Sequence, residues 1–194
     1  MAEHPLPPDA GRFLLGHARG AIADRLHVAD PGPELVALRD GRVTPSWAQE
    51  LGATFVTLTE AGRLRGCIGT LTAHRPIVRD VQHNALAAAF SDPRFPPLAA
   101  SEYRRVRVEV SLLSAPEPLR FTSEANAIAQ LRPGIDGVTL TASGHRGTFL
   151  PQVWDELPDR ADFWAHLKRK AGLPSDYWGP DARVERYTVQ KWSE

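Results

Sequence analysis

The segment Val56-Thr57-Leu58-Thr59-Glu60-Ala61-Gly62-Arg63-Leu64-Arg65-Gly66-Cys67 recurs later in the chain as Val138-Thr139-Leu140-Thr141-Ala142-Ser143-Gly144-His145-Arg146-Gly147-Thr148. Both copies run VTLT, a Gly-bearing turn, then Arg-Gly, and the second is one residue shorter, a difference the spacing assigns to the turn. Each is followed by a helical pattern, 76–90 and about 162–171. Each then reaches an alternating strand, 106–112 and 184–189. A hairpin–helix–strand order used twice confines the chain to an α+β architecture with two related units, 53–113 and 135–192. Two copies are too few for a solenoid, so the expectation is one pseudo-twofold domain over 13–194 after a flexible lead-in, 1–12.

The local signals agree with that plan. Phe13, Leu14, His17, Ile22 and Leu26 lie near helical spacing, with Asp9 as a possible N-cap and Pro31-Gly32-Pro33 as the stop. A short strand is expected at Leu35–Leu38. Ala53–Thr59 is rich in β-branched and aromatic residues, and Leu64–Leu71 can return beside it as a hairpin. Pro76 sits where it can open a helix whose apolar stripe is Ile77, Val81, Ala85 and Ala88. Val106, Val108, Val110 and Leu112 alternate with Arg107, Glu109 and Ser111, the pattern of a half-buried strand. A short helix is expected from about Ser123 to Leu131.

Composition excludes several function classes. The 194 residues carry 23 basic and 23 acidic side chains, so no basic excess favours a phosphate backbone. The clusters 104–107 and 168–170 have acidic neighbours and read as solvated surface. One cysteine permits neither an intrachain disulfide nor a Cys-rich zinc site. The seven histidines show no HExxH and no paired ligand spacing, so no metal is expected. The longest apolar run, Ala85–Phe90, cannot cross a bilayer, and the first residues lack a signal-peptide pattern. A cytoplasmic location, away from membranes, is the expectation.

The candidate chemistry gathers in Leu64-Arg65-Gly66-Cys67-Ile68-Gly69-Thr70. Strand alternation sets Arg65 and Cys67 on one face and Leu64 and Ile68 on the other. A guanidinium beside a thiol favours the thiolate, the form that attacks electrophiles. Gly66 and Gly69 bracket Cys67 without side chains, as at a close approach of ligand or backbone. A free Cys is equally at home as an inert buried residue, and Gly in a hairpin can mark only a bulge. The recurrence of Arg-Gly makes that step a hairpin feature as much as a reactive one. His74 and His83 lie nearest Cys67 as possible bases. Asp92 and Arg94 can pin their loop as an ion pair or present Arg94 to an anion. The five tryptophans read as core or interface anchors.

Leu64–Thr70 resembles the hallmark hexapeptide, with its following residue, of the AMMECR protein family, whose bacterial and archaeal members are called AmmeMemoRadiSam system protein A. The resemblance continues through Ala85–Phe90, Asp92–Leu98, Glu109–Leu113, Gly134–Val138, Arg146–Val153, Lys170–Leu173 and Tyr187–Trp192, and so covers about Phe13 to Trp192. It implies an α+β fold with a barrel-like, mainly antiparallel sheet built from two related repeats. It also implies association with a Memo-like protein, similar to extradiol dioxygenases, and with a radical-SAM protein. No cofactor is implied for this chain.

Three functions remain open. The first is an enzyme, or enzyme-partner subunit, that binds a small molecule in a cleft near the LRGCIGT motif. There Cys67 is the catalytic candidate, and Arg65, Gly66, Gly69, Asn84 and Arg94 are ligand-binding candidates. The second is a non-catalytic adaptor that docks one of the two partners. The third, association with nucleic acid, conflicts with the zero net charge.

Overall fold

In the computed structural model, residues 6–28 and 44–194 are described. The strand expected at Leu35–Leu38 and the stop at Pro31-Gly32-Pro33 lie outside those residues. The chain divides into two compact units: one holds the residues up to Leu113 together with Gln190–Glu194, the other Ser114–Val189.

The first unit contains α1 (Ala10–Leu26), α2 (Ser46–Gln49), β1 (Leu51–Glu60), β2 (Arg63–Gly69), β3 (Arg75–Pro76), α3 (Ile77–Phe90) and β4 (Val106–Leu113), with a 3-10 turn at Ala100–Glu102. The sheet runs β2-β1-β4-β9, where β9 is Val189–Ser193, and β3 pairs with the start of β1. Alternation decides its faces. Thr54, Val56 and Leu58 of β1 and Val106, Val108 and Val110 of β4 are buried. With Ile77, Val81, Ala85 and Ala88 of α3 and Leu14, Ala18 and Ile22 of α1, the apolar members form one core. The apolar stripe expected for α3 is thus the face it buries. Pro76 immediately precedes that helix rather than standing inside it. Helix α1 is under way by Ala10, so the lead-in ends before residue 12. Asp9 holds the N-cap position, where its backbone carbonyl accepts from Phe13, but its side chain makes no cap bond. The helix closes at His27 in the left-handed conformation.

The second unit contains β5 (Glu117–Pro118), α4 (Glu124–Ala129), β6 (Gly137–Ala142), β7 (His145–Phe149), α5 (Val153–Glu156), α6 (Arg160–Ala171) and β8 (Arg183–Tyr187), and its sheet runs β5-β8-β6-β7. Val138, Leu140, Trp154, Phe163, Leu167 and Ala171 anchor its core, with the Trp154 and Phe163 rings stacked 3.6 Å apart. Asp159 caps α6 through its side chain, and Gly172 ends that helix with positive φ. Lys168 corrects the solvated reading of its cluster. It is buried, paired with Glu124, and donates to the Ser175 carbonyl at 2.9 Å. The strand expected at 184–189 is two strands, broken at Thr188, and β9 joins the first unit's sheet.

The barrel-like sheet is corrected as well. The strands form two antiparallel-paired sheets, and neither closes among the described residues. Closure needs two free edges that can pair. In the first sheet, however, peptide groups at the β2 edge are taken by side chains, as shown below. In the second sheet β5 is only two residues long.

The repeated segments adopt the same local order, β2-β1-β4 in one sheet and β7-β6-β8 in the other. Both hairpins turn through two residues of positive φ, Ala61-Gly62 and Ser143-Gly144, the backbone of a type I′ turn that suits strand twist. The turns are therefore equal in length. The extra residue of the first copy is instead a bulge. Leu58 faces Gly66 and Thr59 faces Leu64, which leaves Arg65 without an opposite residue. In the second copy Leu140 faces Gly147 and Thr141 faces Arg146 with no slip.

Candidate functional site

The bulge changes what the hairpin presents. A strict alternation would bury Leu64, whereas Leu64 is 44% exposed and Arg65 only 9%. A bulge inserts a residue and re-aims its neighbours, which sequence alternation alone does not register. Arg65 then reaches the 3-10 turn, where its Nε and Nη2 donate to the two carboxylate oxygens of Glu102 at 2.8 and 3.2 Å. Glu102 also accepts from the Ala99 backbone. The Arg65 bond, followed by that of Ala99, holds its carboxyl below the ordinary value.

Cys67 faces Thr57 across the hairpin, and the Thr57 hydroxyl donates to its sulfur at 3.3 Å. The thiol is half-buried. Its peptide group is held from outside the sheet: the Cys67 N–H donates to Asp92 Oδ2 at 2.9 Å, and Arg94 Nη2 donates to the Cys67 carbonyl at 3.2 Å. Asp92 and Arg94 are joined by two side-chain bonds, 2.9 and 2.7 Å. The ion pair read from the sequence is present, and its target is the peptide of Cys67. A paired acid and base thus take the place of a further strand at this edge position.

Asp92 is buried, while Arg94 is largely exposed. The side-chain bond from Arg94, assisted by the Cys67 and Arg94 amides and opposed by burial, holds the Asp92 carboxyl far below the usual range. Arg94 is pushed up in turn, first by the Asp92 bond and least by the nearby Cys67. An acid whose pKa falls on folding stabilises the fold above its unfolded pKa near 4 and loses that contribution as pH drops toward the folded value. Asp92→Asn should therefore lose about 1–3 kcal/mol at neutral pH. It should also show a shallower fall in melting temperature than the parent between pH 4 and pH 2. Parallel slopes in thermal melts would contradict the clamp.

The remaining candidates divide. Gly66 lies against α3: a Cβ built on it would stand 2.1 Å from the Ala88 carbonyl oxygen. Gly69 lies under the Phe55 ring, with the same distance to its nearest carbon. Both close approaches are to protein, backbone in one case and an aromatic ring in the other. Asn84 belongs to a different cluster. Its amide donates to the Thr54 carbonyl and hydroxyl, to Thr70 Oγ1 and to Asp80 Oδ2, all within 3.1 Å. It touches the hallmark segment at Thr70 rather than at Cys67. His74 bonds Thr72 and Arg75. Among the described residues, no group of three or more His, Cys, Asp or Glu is placed to hold a metal. No helix among them is long and apolar enough to cross a membrane. In the basic cluster 104–107, Arg105 pairs with Glu60, and Arg107 donates to the Glu194 carbonyl.

Sequence reasoning missed Glu102, Thr57 and Phe95. Glu102 stands outside the hallmark, and only the bulge brings Arg65 to it. Thr57 was hidden with it: counted from a two-residue turn without a slip, the register sets Val56 opposite Cys67, and the bulge brings Thr57 there instead. Phe95 lies within reach of both arginines: their guanidinium carbons are 5.9 Å (Arg65) and 5.5 Å (Arg94) from its ring centre.

The whole chain is similar to a protein of Methanothermobacter thermautotrophicus, 38% identical over 100% of this chain and 99% of that one. It is also similar to one of Methanopyrus kandleri, 33% identical over 96% and 89%. The crystal structure of an uncharacterized protein from Pyrococcus horikoshii matches with a TM-score of 0.78 at 33% identity, over 97% of this chain and 93% of that one. The family model described as AMMECR1 matches residues 16–192, and the chain belongs to the AMMECR1 family.

Proposed function

We propose that this protein is a cytoplasmic enzyme, or a subunit serving one, that binds a small molecule beside β2, with Cys67 as the group that meets it. The observation that supports this reading is a contrast between the two units. In the second, Thr139 donates to Thr148 at 3.0 Å, Thr148 meets the Tyr187 hydroxyl at 3.0 Å, and Tyr187 donates to the Phe149 carbonyl. Every hydroxyl in that series is used. In the first unit Cys67 stands opposite Thr57 as Thr148 stands opposite Thr139. At the register of Tyr187 it has Ser111, too short to reach across. The chain of donors stops at the sulfur.

The contrast gains its force if the two units are one unit used twice, which we also propose. Equal turns and equal strand orders support it. So do Glu109 and Glu185 at the same register, opposite Thr57 and Thr139. Arg94 and Asp92 would then fix the Cys67 peptide, Gly66 and Gly69 would permit the close packing around it, and Asn84 would act through Thr70. A Memo-like or radical-SAM protein is the partner we propose for the subunit form.

An adaptor without chemistry of its own is the second reading, favoured by the exposed Leu64 at the start of the hallmark segment and the exposed Leu71 just past its end. Alkylation of Cys67 followed against pH separates the two. A rate that rises with thiolate formation supports the first, and an unreactive thiol sinks it. Cys67→Ala should leave the melting temperature within about 2 °C of the parent, because little packed volume is lost. A larger fall would place the thiol in the core and remove it from the proposal. Native mass spectrometry should show a retained small molecule that Cys67→Ser loses.

A further inference from the structure

We infer that Arg65 is the recognition group for an oxyanion, a carboxylate or a phosphate, on the ligand of this site, and that Phe95 is its movable cover. The inference rests on the reading of β2 as a ligand site, and it is independent of any reactivity of Cys67.

The first observation is the bulge. Where the second unit sets an exposed Arg146 in register opposite Thr141, the first sets Leu64 opposite Thr59 and inserts Arg65 with no opposite residue. The inserted position sends a leucine to solvent and a guanidinium inward, the reverse of what burial alone would select. Bulges gather beside active sites because they re-aim a side chain in this way.

The second observation is what Arg65 does there. Glu102 occupies its Nε and Nη2. The Nη1 nitrogen is buried and has no hydrogen-bond partner among the described residues. Glu102 cannot turn to it, since its oxygens are committed to Arg65 and to the Ala99 amide. Asp92 is likewise committed, to Arg94 and Cys67. A guanidinium N–H aimed at no protein acceptor is matched best by an ionised oxygen, whose hydrogen bond is charge-assisted.

The third observation is access. Phe95 lies within cation–π distance of both guanidinium groups and is only half-buried, in a loop between Pro93 and Pro96 whose neighbours are exposed. Phe95 takes part in neither ion pair, so moving its ring breaks neither, and we assign to that ring the cover over Nη1. Arg94, more than half exposed, lies by the same ring as a second positive charge.

The test uses the full chain in thermal melts with sodium phosphate or sodium acetate, each against sodium chloride at equal ionic strength. One of the oxyanions should raise the melting temperature by about 3–5 °C at ten times its Kd. The better of the two names the ligand group. Arg65→Lys should lose the shift, because an ammonium can hold Glu102 but offers no second fork. Phe95→Ala should keep it and reach half-effect at a lower concentration. Absence of any shift beyond chloride in both the parent and Phe95→Ala overturns the inference. So does an equal shift in Arg65→Lys, which means an adventitious ion only. Cys67→Ser should retain the shift. If it does while no small molecule is retained, the Cys67 proposal falls alone. A retained molecule with no oxyanion shift removes only the role of Arg65.

Discussion

Gly66→Val should destabilise the protein by about 3 kcal/mol or more, and Gly66→Ala should cause most of the same loss. The first carbon added is already the difficulty. It would stand 2.1 Å from the Ala88 carbonyl oxygen and 3.1 Å from its carbon, and both belong to helix backbone. A flexible side chain could swing away, but the C-terminal half of α3 cannot, because Ala85, Ala88 and Ala89 are packed into the core. Strand β2 must therefore lift off the helix, which drags the Cys67 peptide from Asp92. Overpacking a tight core costs about 1–3 kcal/mol, and rigid atoms on both sides place this case at or beyond the upper end. For a chain of this size the melting temperature should fall by about 6–12 °C. Gly147 sits against α6 in the corresponding way, with 2.8 Å to the Ala171 nitrogen and 2.9 Å to its Cβ. Gly147→Ala should cost distinctly less than Gly66→Ala. Melting curves for the two alanine variants test the order, and a Gly66→Ala variant within 1 °C of the parent would contradict the close approach.

The same pair of glycines marks what sequence can and cannot carry. The Arg-Gly step could be read twice as a close approach, because a residue without a side chain in a strand has few other reasons to recur. The strands around it were readable for a similar reason. Val106, Val108 and Val110 alternate with polar residues, and α3 keeps its apolar positions at helical spacing. The bulge was not readable. One extra residue between VTLT and Arg-Gly fits a longer turn and a slipped register equally well in one dimension. Only the pairing of Leu58 with Gly66 and of Thr59 with Leu64 separates them. Everything that depends on the slip was hidden with it, including the exposure of Leu64 and the pairing of Arg65 with Glu102. The Asp92–Arg94 pair was visible as chemistry but not as position. Its hold on the Cys67 peptide joins residues 25 and 27 apart in sequence, and no periodicity spans that gap. The family resemblance supplied membership correctly and closure of the sheet incorrectly, since motifs record which residues recur and not which edges pair.

Asp80→Ala should be the second severe loss, about 3–5 kcal/mol, for an electrostatic reason rather than a steric one. Asp80 is fully buried, two turns from the C-terminal half of α3 that carries Ala88. Its Oδ2 accepts from the Thr54 amide at 2.8 Å, the Thr54 hydroxyl at 2.7 Å and Asn84 Nδ2 at 3.0 Å. Its Oδ1 accepts from the Thr70 hydroxyl at 2.9 Å and lies 3.3 Å from Arg75 Nε. One carboxylate therefore ties the start of α3 to the middle of β1 and to the end of the hallmark segment. Removing it strands several donors in a place water does not reach, and each orphaned buried donor costs about 1–3 kcal/mol. Partial relaxation keeps the total near what a broken buried ion pair costs, about 3–5 kcal/mol. Asp80→Asn should lose less, because one oxygen still accepts, but its amide must face at least one of the donors that the acid received. Hydrogen exchange gives the most direct readout. The Thr54 amide, sequestered in the parent, should lose its protection in Asp80→Ala, while Thr139 in the second unit should keep its own. If Thr54 remains protected and the melting temperature holds, the cluster does not anchor the end of β2, and Asn84 must be held in place by something else.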